Sequence, residues 1–251
     1  MVKKNKKYKF GLLGKNISYS FSKKYFTDKF KNENFSYQYD NFDIDNILEL
    51  PMFLNDSIND LIGFNVTIPY KEEIFKYLDE VDEIAEKIGA VNTVTIVDGT
   101  YLKGSNTDCY GFLNSIKPLL QTHHKFALIL GNGGATKAIK YALESLNIEY
   151  LVVSRNSIGN NIITYSDITE KHFTNSIIIN CTPLGTFPDI NECPNIPYEF
   201  INKKNLLFDL VYNPKESMFL KKGKENGATI KNGLEMLELQ AEKSFEIWKK
   251  Q

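Results

Sequence analysis

The sequence predicts an α/β protein built as two domains, the first a mixed α/β unit and the second a doubly wound unit on a parallel sheet. Three observations carry this. From Lys125 onward, the runs Phe126–Leu130, Tyr150–Val153, Ser176–Asn180 and Leu206–Val211 are apolar without alternation, as strands buried on both faces of a parallel sheet require. The first 100 or so residues also mix strand and helix patterns, with Tyr8–Leu13, Phe35–Tyr39, Leu61–Val66 and Val91–Val97 as strand candidates. The closing segment spaces Leu234, Leu237, Ala241, Phe245 and Trp248 by three or four, which makes one amphipathic helix. That helix could pack on either half.

Composition narrows the class. The chain has 251 residues, 42% hydrophobic and 24% charged, with 30 basic residues against 31 acidic. This suits a folded, water-soluble protein and offers no broad electrostatic footprint for nucleic acid or an anionic membrane. The basic run Met1–Lys7 reads as a solvated terminus. No apolar run approaches the ~18 residues of a membrane span, and no signal-peptide core is present, so a cytoplasmic protein is expected. Cys109, Cys181 and Cys193 form no CxxC pair, and His123, His124 and His172 form no ligand cluster, so neither a disulfide framework nor a metal site is expected. His123 and His124 read as surface residues of a polar connector.

Taken in order, the first strand runs to Tyr19-Ser-Phe-Ser22, where Ser22 is a candidate N-cap and the hydroxyls of Ser20 and Ser22 can face an anion at a helix start. The third strand candidate leads into Gly63-Phe-Asn-Val-Thr-Ile-Pro-Tyr-Lys-Glu72. Asn65 and Thr67 lie two apart, so they share one side, while Phe64, Val66 and Ile68 share the other. Pro69 suits the first turn of a following helix, which sets Lys71 at a strand-to-helix junction. Gly89-Ala-Val-Asn-Thr93 places Asn92 at the start of the next strand, and Asn106-Thr-Asp108 opens a helix with Asp108 in its first turn and Thr107 as a cap.

After the run ending at Leu130 comes Gly131-Asn-Gly-Gly-Ala-Thr-Lys-Ala138, then a helical pattern over Ile139–Leu146. A glycine turn from strand to helix lets backbone amides approach a pyrophosphate, so Gly131, Asn132, Gly133, Gly134 and Ala135 form a candidate dinucleotide loop, a variant of the usual spacing. The following strand ends at Ser154-Arg155-Asn156, about 20 residues on, where NAD-binding proteins carry an acidic residue. Here an arginine stands instead, suited to the 2′-phosphate of NADP. The segment Ser157–Asn161 then runs quickly to Ile162–Tyr165, leaving no room for the helix that normally follows.

Six ordered segments resemble the shikimate dehydrogenase family: Gly14–Ser22, Asn65–Lys71, Gly89–Thr93, Asn106–Asp108, Gly131–Ala135 with Ser154-Arg155, and Gly233–Gln240. Asn180–Gly185 and Asp209–Pro214 resemble later loops of the same family, so the likeness spans nearly the whole chain. The resemblance implies reversible, NADPH-dependent reduction of 3-dehydroshikimate to shikimate, a step of chorismate and aromatic amino acid biosynthesis. It implies an N-terminal substrate-binding domain, 1–106 with the closing helix returning to it over 232–251, and a Rossmann-like NADP-binding domain over 107–231. Ser20 and Ser22 would hold the substrate carboxylate, and Asn65, Thr67, Asn92, Asp108 and Gln240 its ring hydroxyls, with Tyr212 nearby. Lys71 and Asp108 would be the catalytic pair; Ser154, Arg155 and Asn156 would meet the cofactor ribose phosphate, and Leu210 and Gly233 the nicotinamide. The partners implied are small molecules, with the chain a monomer or homodimer.

Three positions depart from the family pattern: Lys23 stands for proline, Tyr19 for histidine, and Asn132 for alanine within the glycine turn, where asparagine tolerates unusual backbone angles. A quinate/shikimate dehydrogenase with relaxed substrate and cofactor use is the nearest alternative; against NAD use stands the lack of an acidic residue over 154–157. A non-catalytic dinucleotide- or shikimate-sensing module is another, against which stand Lys71 and Asp108 together.

Overall fold

The computed structural model describes residues 8–18, 20–57, 60–156 and 159–250; the expectations placed on Met1–Lys7, Tyr19 and Ser157 lie outside them. The chain divides into two compact units, Met1–Thr107 with Ala241–Gln251, and Asp108–Gln240.

The first unit contains β1 (Tyr8–Gly14), α1 (Phe21–Asn32), β2 (Tyr37–Asp43), α2 (Leu50–Ser57), β3 (Leu61–Val66), β4 (Glu80–Val81), α3 (Glu83–Ile88), β5 (Thr93–Val97) and β6 (Tyr101–Ser105). Its sheet runs β2-β1-β3-β5-β6-β4. β1 is parallel to β2 and β3, whereas β5 is antiparallel to both β3 and β6. Alternation along β1 sends Phe10 and Leu12 to one core with Phe26, Phe30, Phe245 and Trp248, and Leu13 to another with Phe64, Val66, Val94 and Ile96. That two-sided burial follows from the period-2 geometry of a strand.

The second unit contains α4 (Asp108–Ile116), β7 (Phe126–Leu130), α5 (Gly134–Ser145), β8 (Glu149–Val153), β9 (Ile162–Ile163), β10 (Ile177–Asn180), β11 (Leu206–Asp209), α6 (Met218–Glu225) and β12 (Thr229–Lys231). All neighbours in its sheet, β12-β11-β10-β7-β8-β9, are parallel. Counted from β7, this is the 6-5-4-1-2-3 order of a Rossmann-like domain. The central strands β7, β10 and β11 are buried almost end to end, which explains their unbroken apolar runs.

Several expectations are corrected. No helix starts at Pro69: the Ile68–Pro69 peptide is cis, and only a short 3₁₀ turn follows, at Glu73–Tyr77. Ser22 is not the N-cap of α1. Phe21 stacks on Tyr25 one turn on, so the helix begins at Phe21 and Ser20 holds the cap position. α5 begins at Gly134 rather than Ile139, because its glycines are part of the helix start. His124 is buried rather than on the surface: its Nδ1 accepts from the Gln121 N–H at 3.1 Å and its Nε2 lies 3.1 Å from the Lys204 carbonyl. Burial accordingly lowers its pKa. Among the described residues no α-helix lies between Val153 and Ile177.

α7 (Leu234–Trp248) forms as its spacing predicts. The division between units falls inside it, at Gln240, because Gly111 of α4 packs directly on Met236 and Gln240. Its later turns place Ala241, Phe245 and Trp248 in the first unit's core.

Candidate active site

Parallel and antiparallel pairing together gather the first unit's candidates at one sheet edge. β1 and β3 run the same way, so their C-terminal ends, and the segments carrying Ser20, Ser22, Thr67 and Lys71, lie side by side. β5 runs back against β3 with Thr93 opposite Asn65, and β6 returns with Ser105 opposite Thr93. Asn92 and Thr107 therefore stand at that same edge, just outside the strands. Ligands of α/β sheets commonly bind at such carboxyl ends.

The Ser20 turn is built by β2. The Asp43 carboxylate accepts from the N–H groups of Asn16 and Ile17 at 2.8 and 3.0 Å, and Asn41 Nδ2 donates to the Ile17 carbonyl at 2.7 Å. Ser20 N–H then closes on Ile17 O at 3.1 Å. Gly14 is required here, since a Cβ would stand 2.5 Å from Thr67 Cγ2. The Ser20 hydroxyl makes no capping bond, is buried and has no hydrogen-bond partner. An unpaired buried hydroxyl at a helix start is costly unless a ligand completes it.

Asn65, Asn92 and Thr107 are buried and joined. Asn92 Oδ1 accepts from Thr107 N–H at 2.7 Å, and Asn65 Nδ2 donates to the Asn92 carbonyl at 3.1 Å. Ser22 sits beside the Tyr39 hydroxyl, which donates to Asn65 Oδ1 at 2.8 Å. Lys71 is half-buried, and its carbonyl accepts from Val91 N–H at 2.8 Å. Tyr39, Asn41, Asp43 and Ser244 were not foreseen. The available signal was the period-2 row Tyr39, Asn41, Asp43, which sends polar groups down one face of β2.

The second unit carries the remaining candidates. Asp108 is buried at the first position of α4, and Gly111 one turn on touches Gln240, whose Nε2 donates to Leu237 O at 2.9 Å. In the glycine loop the positive φ, 104°, belongs to Gly131 and not to Asn132. Gly131 N–H donates to Val153 O at 2.8 Å, tying the loop to the end of β8. A Cβ on Gly133 or Gly134 would meet nothing within 4 Å, and α5 starts without a side-chain cap. This open ground above a 12-residue helix's free N–H groups suits a pyrophosphate. Arg155, exposed at the end of β8 beside half-buried Ser154 and exposed Asn156, is the only arginine in the sequence. Gly233 lies so close to the Leu210 carbonyl that no side chain fits. Tyr212, half-buried, stands two residues beyond Leu210. Asp209 anchors this corner: Oδ1 accepts from Val211 N–H and Asn180 Nδ2, and Oδ2 from the Ser217 hydroxyl. Burial raises its pKa to about 6.

A family model described as the shikimate dehydrogenase substrate binding domain matches residues 12–94. Over 260 aligned residues the chain is 37% identical to the NADP(+) shikimate dehydrogenase of Caldanaerobacter subterraneus subsp. tengcongensis, covering 95% of this chain and 90% of that one. The chain belongs to the shikimate dehydrogenase family. A crystal structure of a shikimate dehydrogenase in complex with NADP+ is similar with a TM-score of 0.86 at 32% identity, covering 98% of this chain and 91% of that one. The shikimate dehydrogenase of Thermus thermophilus, in complex with NADP(H) and shikimate, is similar at 0.84 and 30%, covering 97% and 94%. Among the described residues no helix is long and apolar enough to cross a membrane.

Proposed function

We propose that the chain catalyses the reversible NADPH-dependent reduction of 3-dehydroshikimate to shikimate. The observation that carries this is the 37% identity, across 95% of the chain, to an NADP(+) shikimate dehydrogenase. The residues fit the cofactor: open glycines at a helix start receive the pyrophosphate, and Arg155 with Ser154 and Asn156 receives the 2′-phosphate. When bound, the reduced nicotinamide supplies the hydride. Ser20 and Ser22 donate to the substrate carboxylate, and Ser20 regains the partner its buried hydroxyl lacks. Asn65, Thr67, Asn92 and Gln240 hydrogen-bond ring hydroxyls. Lys71 Nζ stabilises the negative charge growing on the ketone oxygen and gives it a proton; Asp108 is the second member of the proposed catalytic pair. In the oxidative direction Lys71 takes the proton back. The setting we propose is cytoplasmic, with the chain a monomer or homodimer.

The test is an initial-rate assay at the nicotinamide absorbance band with shikimate or quinate and NADP or NAD. Fast oxidation of shikimate with NADP is expected; equal rates with quinate and NAD would overturn the assignment. In the same assay Lys71→Ala should lose turnover by ~10²–10⁴-fold with shikimate KM little changed, and an unchanged kcat would remove Lys71 from the chemistry.

A further inference from the structure

The Asn65 side chain is gripped from two sides inside the first unit. From β2, the Tyr39 hydroxyl donates to Oδ1 at 2.8 Å. From α7, Ser244 Oγ accepts from Nδ2 at 2.9 Å, with Thr93 Oγ1 and the Asn92 carbonyl also in reach at 3.2 and 3.1 Å. Ser244 Oγ in turn lies 2.8 Å from Thr93 Oγ1 and 3.1 Å from Thr107 Oγ1. Tyr39, Asn65, Thr93, Thr107 and Ser244 are all at most 4% exposed, so water does not compete for these bonds.

A primary amide has two donor protons and one oxygen with two lone pairs. In Asn65 both protons and one lone pair are engaged within the protein, which leaves the second lone pair of Oδ1 to offer a ligand. Burial keeps the Tyr39 phenol neutral, so it acts as a donor and demands the amide oxygen on its side. Ser244 has hydroxyl acceptors in Thr93 or Thr107 for its own proton, so its oxygen demands the amide nitrogen. The Asn92 carbonyl, which can only accept, demands the nitrogen as well, so all three neighbours agree on which end faces out, and Tyr39 and Ser244 hold the amide plane from opposite sides.

We propose that Tyr39 and Ser244 are positioning residues that clamp the Asn65 amide so that its oxygen accepts from a substrate hydroxyl. This rests on the shikimate dehydrogenase reading above, and it gives Asn65 a narrower role than general contact with ring hydroxyls. It also sets the carboxylate-binding Ser22 beside the phenol that holds the hydroxyl-binding amide.

The test measures shikimate KM, NADP KM, kcat and Tm for wild type, Tyr39→Phe, Ser244→Ala and the double variant. Each single variant should raise shikimate KM by about tenfold, the scale of one lost hydrogen bond, with NADP KM and kcat within about twofold. The double variant should go little further, since losing either side already lets the amide plane tilt. Unchanged shikimate KM with a lowered Tm, an equal rise in NADP KM, or an increase of about a hundredfold in the double variant would each overturn the clamp. Two single variants on opposite sides keep the test decisive if one fails to fold. A wild-type protein inert toward shikimate would overturn the functional reading with it, whereas active wild type with unmoved KM values overturns the clamp alone.

Discussion

Arg155 is exposed at the end of β8 and is the chain's one arginine. Among the described residues no α-helix follows β8, and Ser154 N–H is bonded to Ile163 O at 2.9 Å. On the proposed function, a single planar fork therefore carries the choice of NADP over NAD. Arg155→Ala should raise NADP KM by about ten- to a hundredfold and leave NAD KM unchanged, erasing the preference; a retained preference would show that other groups read the 2′-phosphate. Because an exposed cation–phosphate contact is screened over about 10 Å at 0.1 M salt, the wild-type preference should also shrink as salt is added, and the variant's should not.

At the scale of elements, two glycines in similar-looking contexts do opposite work. Gly63 on β3 faces the Trp248 ring of α7, whose Nε1 donates to Val94 O at 2.9 Å. A methyl there would push the indole out of the core it shares with Phe10 and Phe26. Gly133 at the start of α5 would place a methyl in open space, in an extended conformation that alanine adopts freely. Gly63→Ala should thus lower Tm by several degrees, since over-packing costs about 1–3 kcal/mol. Gly133→Ala should keep its Tm and raise NADP KM, and a matching loss of Tm would mean the loop is packed rather than open. The sequence made α7 and the second unit's strands readable because burial there follows one period throughout. It hid the start of α1, where a ring stack between Phe21 and Tyr25 outweighs the capping preference of Ser22, and the cis turn at Pro69, whose residue type alone permits a helix start.

Over the whole molecule, what was legible in the candidate site is what neighbours along the chain: Asn65 with Thr67, Gly131 to Ala135, Ser154 with Arg155. What was not legible is held by contacts distant in sequence, such as Asn65 with Ser244 and Ser20's turn with Asp43, which no local pattern encodes. Asp209 is a third case, a buried carboxylate fixing the ends of β10 and β11 and the N-cap of α6 through Asn180, Val211 and Ser217. Its effect is global. With a folded pKa of about 6 against about 3.9 unfolded, the folded state binds the extra proton between those values. Stability then falls as pH rises from about 4 to about 6 and is level above, a change of roughly 3 kcal/mol from this one group. Subtracting Asp209→Asn from wild type isolates it: in denaturant melts, the difference in unfolding free energy should decline by that amount between about pH 4 and pH 7. The sign follows from burial outweighing three hydrogen bonds. A difference that rose with pH would show that those bonds dominate instead, and that the carboxylate strengthens this corner in its charged form.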